Sequence, residues 1–177
     1  MKEIVNPFDY AEAITKNLPN GLLLNTKADK FNAMVIGWGA LGRTWQVPTF
    51  TVLVRENRYT KGALDKTGAF TVSVPLNGVR PDIVKICGGR SGHNIDKVQE
   101  AGLTLAEPEV NGVPGVQEYP LTLECRVLYA QKQDLSLLPQ DIVKEMYPQD
   151  VDGTAPMANR DPHTVYVGEI VRAYLLK

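Results

Sequence analysis

Short apolar and β-branched runs recur through the first half of the chain, each bounded by Gly, Pro, Asn or Asp: Gly21-Leu-Leu-Leu24, Ala33-Met-Val-Ile36, Thr49-Phe-Thr-Val-Leu-Val54 and Ala69-Phe-Thr-Val-Ser-Val74. Runs of that length and punctuation predict strands, and their spacing predicts a barrel or sandwich. Farther on, Leu121, Leu123, Cys125, Val127 and Tyr129 alternate with Thr122, Glu124 and Arg126, the period of a half-buried antiparallel strand. Residues 164–176 predict a last long strand. Between these runs lie short helices. One runs from Ala11 to Lys16, capped by Asp9 and ended by Pro19-Asn20-Gly21. A second follows Thr60 as N-cap and stops at Gly68, and a third covers Pro81 to Cys87 before Gly88-Gly89. A fourth covers Asn94 to Ala101 before Gly102. The stretch from Gln133 to Pro162, rich in Pro, Asp and Gln, predicts a mobile insertion. The pattern as a whole predicts an α+β, mainly β domain over residues 1–177, an antiparallel barrel with short peripheral helices.

Composition narrows the setting. A chain of 177 residues, 44% of them hydrophobic, has the size of one domain with a continuous core. Nineteen Lys and Arg balance twenty Asp and Glu, so no strong field is available to hold a nucleic acid or an anionic membrane. The start, Met1-Lys-Glu-Ile-Val-Asn-Pro7, lacks the basic and apolar regions of a secretory signal, and no apolar run reaches bilayer length. The expectation is a cytoplasmic protein. Cys87 and Cys125 are distant and form no C-x-x-C pair, so they are expected as buried thiols. With His93 and His163 they also lack the short spacings of a zinc set, and no metal site is expected.

Two glycine patterns need their context. Gly37-Trp-Gly39-Ala-Leu-Gly42 matches G-x-G-x-x-G, but a dinucleotide turn requires its third glycine to open a helix. Arg43-Thr-Trp-Gln-Val-Pro48 leads into another β-rich run instead, and Pro48 opposes a helix there. The same stretch misses the lysine of a phosphate-binding P-loop. Glycines in such a place mark a bulge or a close approach to the backbone.

Three segments carry candidate chemistry. Arg55-Glu-Asn57-Arg58-Tyr-Thr60 sets two guanidinium groups at a helix N-terminus, where free N–H groups and the dipole attract anions; a solvated charged loop with a routine cap is the alternative. Ser91-Gly-His-Asn-Ile-Asp96-Lys97 adds a hydroxyl and a lysine near another helix start, and taken alone it is ordinary loop chemistry. Asn32-Ala-Met-Val-Ile-Gly-Trp38-Gly39 offers backbone polar groups beside small residues and an indole, suited to the edge of a planar heteroaromatic ring, or to a barrel strand with a core Trp.

The order of these segments resembles the flavin reductase-like, FMN-binding split β-barrel family, in its flavoredoxin-type branch. The segments Pro120-Leu-Thr-Leu-Glu-Cys-Arg-Val127 and His163-Thr-Val-Tyr-Val-Gly-Glu-Ile170 extend the similarity over nearly the whole chain. The resemblance implies a six-stranded split barrel, a homodimer and FMN near the subunit interface. It implies that Asn32, Ala33, Met34 and Trp38 line the isoalloxazine, and that Arg55, Asn57, Arg58, Thr60, Ser91 and Lys97 surround the phosphate and ribityl chain. His163 would lie near the ring. Gly37 stands where many members carry Ser or Thr, and Pro162 interrupts their Gly-Asp-His approach. Three functions are compatible: an NAD(P)H-dependent flavin reductase, with NADH or NADPH as electron donor; an electron carrier with tightly bound FMN and a redox protein partner; or a flavin-storing or interaction module without catalysis.

Overall fold

A computed structural model describes residues 1–151 and 160–177. Residues 152–159, part of the predicted 133–162 insertion, lie outside the described residues. The main sheet is wholly antiparallel and runs β3 (Phe31–Ile36), β2 (Leu22–Lys27), β6 (Ala69–Val74), β9 (Leu121–Lys132), β10 (His163–Leu176), β5 (Val47–Arg55) and β4 (Gly39–Thr44). A short β1 (Lys2–Ile4) joins the far end of β10. The sheet therefore has eight strands among the described residues rather than the six the resemblance implied. Its end strands do not pair, so the barrel is split. Met34 of β3 and Leu41 of β4 nevertheless pack on one core with Leu24, Phe50, Val52, Phe70, Val72, Leu123 and Tyr166. Those side chains share the inner face because cross-strand partners such as Leu24, Val72 and Leu123 lie side by side in register.

The alternation that predicts a half-buried β9 describes neither half of the strand. Residues 121–125 are buried on both faces, while Arg126 to Lys132 are largely exposed. The first half is covered by the excursion over residues 101–120, which folds back over the outer face with its small ribbon of β7 (Leu105–Ala106) and β8 (Gly115–Val116). The Glu124 carboxylate accepts the backbone N–H groups of Glu109, Val110 and Asn111 at 2.5 to 2.8 Å, which satisfies a buried charge with donors the loop could not otherwise pair. A second core of Leu23, Ala33, Ile83, Cys87, Leu103, Val116 and Tyr119 lies on this outer side. Both cysteines are free and buried, as expected.

Strand β4 is the element the residue pattern concealed. It forms a hairpin with β5 through Trp45 and Gln46, whose φ values of 49° and 65° are those of a type I′ turn without the usual Asn or Gly. Gly39 sits in this strand because a Cβ there would lie 2.6 Å from Thr51 O and 3.3 Å from the Phe50 ring. The close approach that its pattern suggested is thus the neighbouring strand.

The helices are peripheral. α1 (Ala11–Asn17) follows a 3-10 turn over Pro7–Tyr10 that Asn6 caps, not Asp9. α2 (Tyr59–Thr67) has Arg58 at its N-cap and ends at Gly68 in the left-handed region, φ 63°. Thr60 lies inside the first turn of α2, so its hydroxyl is released from capping. α3 (Pro81–Gly89) covers the outer core, and α4 shortens to Lys97–Glu100 because Asp96 caps it by accepting from Val98 N–H at 2.8 Å. Within the 133–162 stretch the described residues include α5 (Gln140–Met146), so this part is helical rather than irregular. No helix among the described residues is long and apolar enough to cross a membrane.

Two glycines separate packing from backbone effects. A Cβ on Gly168 in β10 would lie 2.5 Å from the Phe70 ring and 3.1 Å from Cys125 Cβ, whereas one on Gly62 in α2 meets nothing within 4 Å. Gly168→Ala is expected to destabilise by about 1–3 kcal/mol through overpacking, and Gly62→Ala to stabilise by about 0.5–1 kcal/mol through helix propensity. Urea unfolding of both variants checks the opposite signs.

A two-part cleft at the split of the barrel

β3 ends at the open side of the barrel and continues through Gly37 and Trp38. Across from it, β5 delivers Leu53 and Arg55, and β10 begins with His163 in register with Arg55. These residues, with Met34, Val35, Ile36, Arg58 and Gly88, line a cleft of about 310 Å³, near the lower end of the range for small-molecule sites. Its walls combine the apolar side chains of Met34, Val35, Ile36, Trp38 and Leu53 with the polar groups of Arg55, Arg58 and His163. Trp38 is 42% exposed, and its ring centroid lies 5.0 Å from that of His163 with the planes tilted by 45°.

A smaller, polar recess of about 90 Å³ adjoins it, sharing Met34, Val35, Arg58 and Gly88. Asn32, Asn57, Arg58, Thr60, Ser91 and Lys97 line it, together with Tyr59, Cys87, Arg90 and Gly92. Asn32 donates to Thr60 Oγ1 at 3.0 Å, which couples β3 to the first turn of α2. Its Oδ1 is buried and has no hydrogen-bond partner among the described residues. A Cβ on Gly92 would overlap this oxygen, so the glycine is what lets the loop pass so close. A buried acceptor without a donor is costly, and its place beside the recess suits a ligand hydroxyl or N–H.

The cations divide by burial. Arg58 is exposed and forms no ion pair among the described residues, leaving its guanidinium available at the N-terminus of α2. Lys97 is 4% exposed and donates to Ala33 O at 2.9 Å and Cys87 O at 2.8 Å. Burial pushes its ammonium down to about 8. Two of its three donors are engaged by backbone carbonyls, so it braces the recess while still bordering it. Arg90 reaches the rim but pairs with Glu100 at 2.8 Å.

Arg55 is also buried. It donates to Asp161 O at 2.8 Å and Met146 O at 3.3 Å, with the Asp161 carboxylate 4.0 Å away. It lines the larger cleft and not the polar recess. Asp161 also accepts the Asn57 N–H at 2.9 Å. His163 is 6% exposed, and burial, reinforced by the Arg55 guanidinium, pushes its imidazole down to about 4. It is neutral at physiological pH.

Nine of the ten residues expected to bind a cofactor line these two adjoining spaces, and His163 lines the larger. Ala33 does not. Its side chain faces the outer core, and only its carbonyl contributes, by holding Lys97. The residues that sequence reasoning missed are Gln133, Tyr147 and Asp161. Nothing local marks them, because their partners are between 14 and 106 positions away.

The chain shares its fold with known proteins. It is similar to the FMN-binding domain of a flavin reductases-like enzyme from Shewanella baltica, with 16% identity, a TM-score of 0.66, and 99% of this chain and 77% of that one covered. It is also similar to flavoredoxin from Methanosarcina acetivorans, with 25% identity, a TM-score of 0.61, and 89% and 68% covered. An uncharacterized protein of Archaeoglobus fulgidus is 27% identical over 169 residues, 96% of this chain and 76% of that one. The family described as flavin reductase like domain matches residues 15–177, and the chain belongs to that family.

Proposed function

We propose that the protein binds FMN in the two-part cleft and uses it as an NAD(P)H-dependent flavin reductase. The observation that carries this reading is the junction of an apolar, Trp-walled slot with a cationic polar recess containing an unpartnered buried acceptor, Asn32 Oδ1. A planar ring with a phosphorylated polyol tail has this division of polarity. Met34, Trp38, Leu53 and His163 would hold the ring, while Asn32, Asn57, Arg58, Ser91 and Lys97 would hold the tail. When bound, FMN supplies the capacity to accept a hydride or single electrons. The chain itself binds, orients and excludes water. The exposed guanidinium of Arg58 meets the tail, buried Lys97 keeps α3, α4 and β3 in place around it, and the half-exposed indole of Trp38 leaves the slot open to a second planar molecule.

A second reading, an electron carrier with tightly held FMN, is favoured by the likeness to proteins named flavoredoxin. The expected homodimer has surface to use. Trp45 is 60% exposed and packs 6.4 Å from Tyr129, on the open half of β9.

The reductase reading predicts prompt bleaching of bound flavin on anaerobic stopped-flow mixing with NADH or NADPH, and indifference to both leaves the carrier reading. A colourless preparation that takes up no added FMN overturns the two together. Arg58→Ala is expected to weaken FMN binding about 10- to 100-fold, the loss of one charge-assisted hydrogen bond, measured by fluorescence titration. Arg90→Ala should change it less, because Arg90 is already paired with Glu100. Sedimentation should give twice the 19.5 kDa of one chain.

A further inference from the structure

Gln133 follows β9 and His163 opens β10, and the two residues pair through their backbones, with Gln133 N–H donating to His163 O at 2.9 Å. The side chain of Gln133 also accepts the His163 N–H, at 3.1 Å. An amide atom that accepts a backbone N–H must be the oxygen, so the orientation of this side chain is set chemically. Tyr147 Oη lies 2.8 Å from that same oxygen. An amide oxygen has no proton to give, so the tyrosine O–H must donate. Its one proton is then committed. The 2.9 Å contact between Tyr147 Oη and His163 Nδ1 is a hydrogen bond only when Nδ1 carries the proton and the phenol oxygen accepts it.

We propose that Gln133 and Tyr147 are positioning residues that hold His163 as the Nδ1–H tautomer, leaving Nε2 as a lone-pair acceptor at the cleft wall. Several observations support this arrangement. The Tyr147 ring stands edge-on to the imidazole, 5.7 Å between centroids at 84°, and Tyr147 is 2% exposed, so water does not compete for its hydroxyl. Arg55 lies 5.2 Å from the centre of the Tyr147 ring and holds the carbonyls of Met146 and Asp161, on either side of the excursion that delivers this tyrosine. Burial keeps the imidazole neutral, the state in which a tautomer is defined. Nε2 has no protein partner among the described residues, and His163 lines the cleft. The wall therefore accepts an N–H from a bound planar ring and repels a carbonyl edge, a selection that rests on the redox reading of the cleft.

The chain has two histidines, His93 and His163, so long-range ¹H–¹⁵N correlation of the imidazoles can read the tautomer directly, with His93→Gln giving the assignment. The full-length protein is measured at pH 7, before and after addition of FMN. The expected result without FMN is a single His163 pattern with Nδ1 protonated and Nε2 unprotonated. Tyr147→Phe should lose it, giving an Nε2–H pattern or a mixture, while circular dichroism shows an intact fold. Gln133→Glu keeps an acceptor oxygen and should retain the original pattern. An Nε2–H or imidazolium pattern in the unsubstituted protein overturns the proposal, as does an unchanged pattern in folded Tyr147→Phe. Should Tyr147→Phe unfold, the spectrum of the unsubstituted protein still decides. Failure to take up FMN alongside the Nδ1–H pattern removes the flavin reading and leaves this assignment standing. FMN uptake alongside the opposite pattern does the reverse.

Discussion

The register of β10 against β5 puts His163 opposite Arg55, and the remaining geometry of the cleft depends on that pairing. Side chains alternate across a sheet, so a slip of one residue would turn His163 to the other face and separate it from Trp38 and Tyr147. The register is held along the strand. β10 pairs with β5 through its first half, with β9 nearly end to end and with β1 at its last residues. Inside, Tyr166 and Ile170 join the same apolar core, so sliding the strand would expose them as well.

Around this strand the site is built by burying cations beside backbone carbonyls. A buried charge is costly unless it is hydrogen-bonded, and Arg55 and Lys97 each donate to two main-chain oxygens from segments distant in sequence. Arg55 holds the excursion after β9 against β5, and Lys97 holds α3 and α4 against β3. Arg58, by contrast, stays exposed. The electrostatic division follows: two braced cations shape the walls, and a third is available to an anionic ligand.

The fold itself does not choose between the reductase and the carrier readings, since one scaffold supports many chemistries. That choice rests on what the cleft admits. Its apolar slot is open beside Trp38, its recess carries an acceptor without a donor, and its histidine is neutral and held from behind. Each is a property of a few side chains and could change without disturbing the sheet.

Much of the architecture was legible locally. The apolar runs marked β2, β3, β5, β6, β9 and β10, and Gly68 marked the left-handed end of α2, because these signals are carried by residues a few positions apart, whereas the segments around Asn32, Arg58, Ser91 and His163 were joined into one expected site only by the family resemblance. β4 was hidden by a turn of Trp45 and Gln46, which bear positive φ without the glycine or asparagine that announces it. The Ala33 side chain faces a second core rather than the cleft, because α3 and the β7–β8 excursion cover the outer face of the sheet. The partners of Arg55 and His163 were equally out of reach, since Met146 and Asp161 lie 91 and 106 residues from Arg55 and Tyr147 lies 16 from His163. By itself the sequence determined the strands, their punctuation and the residue types of the cleft. Only the tertiary structure decided which cations brace and which are free, and which nitrogen of His163 faces Tyr147, because burial and hydrogen-bond partners are set by contacts between distant segments.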